Sequence, residues 1–204
     1  MNSDQEKHFN YTIKEWSENY YLKVIEKLKD AKIKTFIDLG ANVGGVTENI
    51  LSKIPSIEKC YLIEPDINNY YYLYDKFEKN NKVELLNCGI FYGLKRSSMT
   101  KRNNNIGGWS LTQNDYPDQK GGKFSFFELE FFNFGNIDFA KIDIEWAEYN
   151  VLENSKILKN IEFLEIEFHN GIDINYINKI LPNYKVLEIE KINIFLQKEN
   201  DKLK

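Results

Sequence analysis

Cysteine, histidine and proline are scarce: the chain of 204 residues has two, two and four of them. Cys60 and Cys88 each sit in an apolar, strand-like run. Their spacing fits neither a disulfide framework nor a zinc site, so both are expected as buried, reduced thiols. No apolar run approaches the ~20 residues that span a bilayer. The first residues, Met1 to His8, are polar and lack the apolar centre of a signal peptide. These absences lead to the expectation of a cytoplasmic protein without a membrane span. Positive charge is thin as well. The net charge is −4, and the basic cluster is limited to Lys95, Arg96, Lys101 and Arg102. A protein that grips nucleic acid ordinarily carries a basic face, so a small or neutral ligand is the better expectation.

What is present suits a folded domain. Hydrophobic residues make up 42% and charged residues 28% of the chain, a globular balance. The length predicts one domain over residues 1–204, with a helical segment over 1–30 and a core over 31–198. Phe9, Ile13, Trp16, Tyr20, Val24 and Leu28 recur at helical spacing and predict one amphipathic leading helix. Strand-like and helical stretches then alternate. Strands are expected at 32–39, 60–64, 83–87, 139–144 and 161–168. Helices are expected at 43–53, 67–79, 147–152 and 174–181, and two further strands within 185–197. Such alternation predicts a mostly parallel, seven-stranded sheet covered on both faces, a Rossmann-like α/β fold. Ligands bind such folds along the C-terminal strand edge. The stretch from Phe91 to Asn136 breaks the rhythm. It holds Asn103 to Asn105, Gly107-Gly108 and Gly121-Gly122, and loops of that length are often functional.

The main motif is Phe36-Ile37-Asp38-Leu39-Gly40-Ala41-Asn42-Val43-Gly44-Gly45. A strand enters a glycine turn and then a helix, with Asn42 placed to cap it. The spacing lacks the middle glycine of the dinucleotide fingerprint, and no Gly-Lys-Ser/Thr follows, which excludes a Walker loop. Asp38 would repel a pyrophosphate but suits a cation. S-adenosylmethionine carries both an ammonium and a sulfonium, so it is the ligand that fits. Tyr61-Leu62-Ile63-Glu64-Pro65-Asp66 ends the second strand with Glu64, placed to accept from two ribose hydroxyls. Asn87-Cys88-Gly89 ends the third strand where an adenine ring could lie.

These segments resemble the FkbM family of methyltransferases. FIDLGANVGGVTENI is similar to its first motif, YLIEPDINNYYYLYDKF to its second, VELLNCGIFYG to the third-strand segment and NIGGWSL to the loop after it. FAKIDIEWAEYNVLENS resembles the distinctive K-I-D-x-E-G-A-E stretch, and FLEIEFHN the fifth strand. The resemblance implies a class I methyltransferase fold and usually O-methylation. It assigns Asp38, Gly40, Ala41, Asn42, Glu64, Pro65 and Asp66 to the cofactor site. Asn87 and Cys88 would flank the adenine, and Asp143 would face the methionine end or the acceptor. Trp146 stands where the family usually has glycine.

Methyl transfer to a hydroxyl needs a group to take its proton. His169, Asp143 and Glu145 are the candidates, with Glu167 and Asn170 beside them at the end of the fifth strand. His169 titrates near neutrality when unperturbed, whereas His8 is expected in a frayed N-terminus. A second route, not favoured, is a divalent ion on Asp143, Glu145, His169 and Asn170 that activates the hydroxyl. The favoured acceptor is a sugar or glycan hydroxyl, with Phe91, Tyr92, Trp109, Tyr116 and Trp146 available to stack on a ring. RNA methylation and a non-catalytic cofactor-binding module remain as alternatives, and a nicotinamide oxidoreductase is more distant because the glycine spacing is wrong.

Overall fold

The computed structural model describes residues 3–16, 18–93, 96–101, 109–110 and 122–199. Two helices lead the chain, α1 (Ser3–Glu15) and α2 (Asn19–Asp30). The core begins with β1 (Thr35–Leu39), α3 (Gly45–Lys53), β2 (Lys59–Ile63), α4 (Ile67–Phe77) and β3 (Val83–Leu86). Four short strands follow: β4 (Gly89–Ile90), β5 (Arg96–Lys101), β6 (Trp109–Ser110) and β7 (Gly122–Phe127). The chain ends with β8 (Phe139–Ile142), α5 (Glu148–Asn154), β9 (Phe163–Glu167), α6 (Ile174–Ile180), β10 (Tyr184–Glu190) and β11 (Asn193–Lys198).

Seven strands form the main sheet in the order β10-β11-β9-β8-β1-β2-β3. β11 runs antiparallel to both β9 and β10. β1 pairs in parallel with β2 on one side and β8 on the other. Strand order therefore reverses at β1, and the crevice outside its C-terminal end is where open α/β sheets take ligands. The segment between β3 and β8 contributes a second sheet, β4-β7-β5-β6. The expected strand-like run at 124–132 is β7 followed by a 3₁₀ turn over Leu129–Phe131. The asparagine and glycine clusters at 103–105, 107–108 and Gly121 lie outside the described residues, as do Lys95, Arg102 and Tyr116.

Period-two alternation splits the core into two layers. Ile37, Leu39, Ala140, Ile142, Leu164 and Ile166 face α5 and α6. Phe36, Phe139, Phe163 and Phe195 face the other way, onto Val24, Ile25 and Leu28 of α2 and Ile50 of α3. The rings of Phe36 and Phe139 stack at 5.0 Å and those of Phe163 and Phe195 at 5.8 Å. Aspartates cap two of the helices. Asp66 accepts from the Asn68 amide at 2.7 Å at the start of α4, and Asp173 caps α6 in the same way. Both cysteines are free and buried.

The leading helix is not continuous. Glu18 is extended, with φ −96° and ψ 169°, and it separates α1 from α2. A straight helix could not serve both surfaces. α2 fills the core beneath the sheet, whereas α1 crosses α3, where Phe9 packs with Val43 and Tyr72. The bend brings Trp16 onto Tyr21, stacked at 4.1 Å. No helix among the described residues is long and apolar enough to cross a membrane.

Candidate functional site

The turn after β1 is tight because Gly40 adopts φ +84°. A Cβ there would sit 1.8 Å from the Asp143 carbonyl oxygen, so the ends of β1 and β8 nearly touch. Gly40 and Ala41 both donate backbone N–H bonds to the Ile63 carbonyl, each at 3.0 Å. The Asn42 amide donates to Glu64 Oε2 at 2.8 Å, and the Asp66 amide to Glu64 Oε1 at 2.8 Å. Glu64 is thus the clasp that joins the β1 turn to the β2 turn. Burial pushes its carboxyl up to about 8, against the two amide bonds that favour the charged form. The Gly40, Ala41 and Asn42 amides are thus engaged within the fold. Asn42 does not cap α3. Gly44 occupies that position in a left-handed conformation, and the Asn42 side chain bridges His8 Nε2 at 3.0 Å and Asn69 at 3.2 Å.

A cleft of about 620 Å³ opens beside this clasp. Gly40, Asn42, Glu64, Pro65, Cys88, Ile90, Phe126, Asp143 and Glu145 are among its walls. Of the residues expected at a cofactor site, Asp38, Ala41, Asp66 and Asn87 are not among its walls, and Ala41 lines the neighbouring cleft instead. Asp38 is fully buried, and its Oδ2 accepts from Thr47 at 2.7 Å. Asp66 is occupied as the α4 cap. Asn87 is exposed and ties the β2 turn by donating to the Glu64 carbonyl at 2.9 Å.

Asp38 belongs to a buried row. Register aligns it with Lys141 on β8, and Lys141 with Glu165 on β9. All three are almost wholly buried. Lys141 Nζ lies 3.6 Å from Asp38, 3.0 Å from Asp143 Oδ2 and 3.3 Å from the Gly40 carbonyl. Burial alone would lower the lysine, but the Asp143 and Asp38 carboxylates hold it charged above its ordinary range. Lys141 and Glu165 were not singled out from the sequence. Their signal is there nonetheless: Phe36-Ile37-Asp38-Leu39, Phe139-Ala140-Lys141-Ile142 and Phe163-Leu164-Glu165-Ile166 repeat one pattern, with a charged residue at the same inward position of three neighbouring strands.

A second cleft of about 720 Å³ shares Gly40, Asn42, Asp143 and Glu145 with the first. Its floor holds Lys141, Glu167 and His169, and it is roofed by His8, Tyr11, Thr12 and Glu15 of α1 and by Trp16 just after it. His8 is therefore an ordered wall residue within α1, not part of a frayed end. The α1–α3 packing that holds it there depends on Gly45, where an added Cβ would come within 2.9 Å of the Phe9 carbonyl.

His169 anchors the floor. Its Nδ1 lies 2.9 Å from Oε1 of the fully buried Glu148. Burial would lower its pKa, but the Glu148 bond and the charges of Asp143 and Glu145 outweigh this and push it up to about 9. That shift favours the imidazolium at neutral pH, against the proton-accepting role expected for His169. Burial pushes Glu145 and Glu167 up to about 7. Glu145 and Trp146 both have left-handed backbones, φ +49° and +81°, a strained geometry for side-chain-bearing residues. That φ at Trp146 explains why glycine suits the position. Its ring centroid is 6.5 Å from that of His169. Asp143, Glu145 and His169 converge, whereas Asn170 lines a separate open cleft beside Tyr149. Phe91 packs in the core against Phe126, and the Tyr92 hydroxyl bonds Glu130, so neither is a free stacking surface. Trp109 is described only as backbone in β6.

The sheet order, the crevice at the β1–β8 reversal and the helices on both faces define a class I methyltransferase fold. The chain matches the Methyltransferase FkbM domain over residues 38–193, and it belongs to that family. A methyltransferase FkbM from Methylobacillus flagellatus KT superposes with TM-score 0.57 at 17% identity, covering 81% of this chain and 44% of that one. This chain thus spans less than half of that protein. A putative caffeoyl-CoA O-methyltransferase from Staphylococcus aureus gives TM-score 0.53 at 12% identity, covering 98% and 93% of the two chains. An rRNA methylase from Streptococcus thermophilus gives 0.51 at 12% identity, covering 90% and 99%. No curated protein matches the sequence closely enough to count as a relative.

Proposed function

We propose that this methyltransferase uses S-adenosylmethionine and transfers its methyl group to a hydroxyl of a sugar or glycan. The supporting observation is the junction of two clefts at Gly40, Asn42, Asp143 and Glu145. One cleft has the make-up of a nucleoside site: an apolar wall of Ile63, Cys88, Ile90 and Phe126, with the fixed Glu64 carboxyl beside it. The Asn42 and Asp66 amides and the Asn69 side chain take part of the Glu64 acceptor capacity, and what remains is available to a ribose hydroxyl. When bound, the cofactor supplies an electrophilic methyl on a sulfonium. The chain supplies position and charge around it.

The other cleft is the acceptor side of this reading. Its floor must dispose of the hydroxyl proton, and charged His169 cannot accept it at neutral pH. That role passes to the carboxylates, foremost Glu145 at the junction, with His169 and Asp143 setting its charge environment. Glu15, Asp143, Glu145 and Glu167 along the walls would repel a phosphate backbone. This favours a neutral polyol over RNA, consistent with the net charge of −4.

Calorimetry and labelled methyl transfer test the reading. Glu64→Ala is expected to weaken S-adenosylmethionine binding at least tenfold, and Glu145→Gln to cut turnover without a comparable loss of cofactor affinity. Unchanged affinity in Glu64→Ala would remove the cofactor assignment. In a panel of glycans, RNA and small metabolites, label is expected on a glycan or sugar. Label on RNA alone would overturn the acceptor class.

A further inference from the structure

We propose that Asp143, Glu145 and His169 bind a divalent metal cation at the floor of the second cleft, with Glu167 beside it. One ligand atom from each of the three lies within 4.8 Å of the others. The arrangement is more specific than a patch of acids. His169 Nδ1 is committed to Glu148, whose side chain is completely buried. That bond fixes the ring and leaves Nε2 facing the carboxylates. A buried carboxylate behind a histidine is the usual support of a metal-bound imidazole.

The distances around Nε2 point the same way. Glu145 Oε2 is 3.5 Å away, and Asp143 Oδ1 and Glu167 Oε1 are each 3.8 Å away. An imidazolium paired with one acid would close to ~2.7–2.9 Å. On its Nε2 side the ring stands back from all three, and Nε2 with one oxygen each of Asp143 and Glu145 surrounds one gap. The Glu145 and Glu167 carboxylates accept no hydrogen bond among the described residues, although only 20% and 29% of their side-chain surface is exposed. The His169 ring at 3.5 and 3.8 Å is the positive group beside them, and their lone pairs remain available to a cation. Asp143 divides its work: Oδ2 takes Lys141 at 3.0 Å, and Oδ1 faces the gap. Metal–ligand bonds of ~2.1 Å place neighbouring ligand atoms ~3 Å apart, so a small contraction would complete the site. Carboxylate oxygens with one imidazole suit Mn²⁺, Mg²⁺ or Zn²⁺.

The consequence rests on the methyltransferase reading above. A cation here would displace the Nε2 proton that His169 otherwise carries, would take Glu145 as a ligand in place of the base role it has in the metal-free site, and would lower the pKa of an acceptor hydroxyl. It would also favour an acceptor with two adjacent oxygens, such as a vicinal diol, over one with a single hydroxyl.

The test uses the full chain, stripped with chelator and titrated with Mn²⁺ without cofactor, free Mn²⁺ being read by electron paramagnetic resonance. One saturable site per chain is expected, displaced by Mg²⁺ or Zn²⁺. Glu145→Gln, Asp143→Asn and His169→Gln are each expected to weaken it tenfold or more, and Glu58→Gln, on the far surface, to leave it unchanged. Circular dichroism identifies any variant that has not folded, and the conclusion is drawn from the remaining ones. Absence of saturable binding in the wild-type chain, or equal affinity in the folded site variants, overturns the proposal. A parallel S-adenosylmethionine titration separates the two readings. Cofactor binding without Mn²⁺ binding defeats the cation site alone, and the reverse defeats the cofactor assignment alone.

Discussion

At the residue scale, two positions show how little room the site has. Gly40 is held between the two strand ends, and its φ of +84° adds backbone cost to the clash that any Cβ would make with the Asp143 carbonyl. Gly40→Ala is expected to destabilise the fold by about 2 kcal/mol or more, visible as a lower urea midpoint; an unchanged midpoint would mean that β1 and β8 are not so closely apposed. The Gly40 turn was legible because a strand, a glycine and a helix follow one another in the chain. The role of Asp38 was not. Its type and position suggested a ligand contact, but alternation turns its side chain under the sheet, toward Thr47 and Lys141. His169 was legible as a site residue, but the Glu148 carboxylate that raises its pKa was not, because it comes from a different element.

At the element scale, the row Asp38, Lys141 and Glu165 crosses β1, β8 and β9. One lysine stands between two acids in a nearly dry layer. Lys141→Met would leave Asp38 and Asp143 without their partner, and a broken buried pair costs about 3–5 kcal/mol. A loss of that size in chemical denaturation is expected, and a near-neutral effect would show that the row is dispensable. Helix α1 is the other element that decides function. It reaches the site only because Phe9 is seated against Val43 and Tyr72. Phe9→Ala is expected to cost about 3 kcal/mol and to raise the acceptor KM more than the cofactor Kd, since α1 walls only the second cleft. Equal effects on both constants would count against that division. The helical spacing of Phe9, Ile13 and Trp16 was plain in the sequence, but the break at Glu18 was not, because it answers to two different packing surfaces.

At the scale of the whole molecule, buried acids set the response to pH. Burial raises the folded-state pKa of Glu64 to about 8, and it raises Asp38 and, more strongly, Glu165 above their ordinary values. The native state therefore holds protons that the unfolded chain releases above pH ~4–5. Stability must fall as pH rises through that window toward 8. The melting temperature is expected to be higher at pH 5.5 than at pH 8.5, with a shallower slope in Glu64→Gln; a rise with pH would contradict these environments. The sequence by itself determined the alternating α/β order, the glycine turn after β1, the acid after β2 and the family, because these are written in local spacing and period. Only the tertiary structure decided that Glu64 clasps two turns, that Asp38 is buried beneath the sheet, that α1 with His8 roofs a second cleft, and that Glu145 rather than Asn170 joins Asp143 and His169. Those outcomes depend on strand register and on the meeting of residues far apart in the chain, which local pattern does not encode.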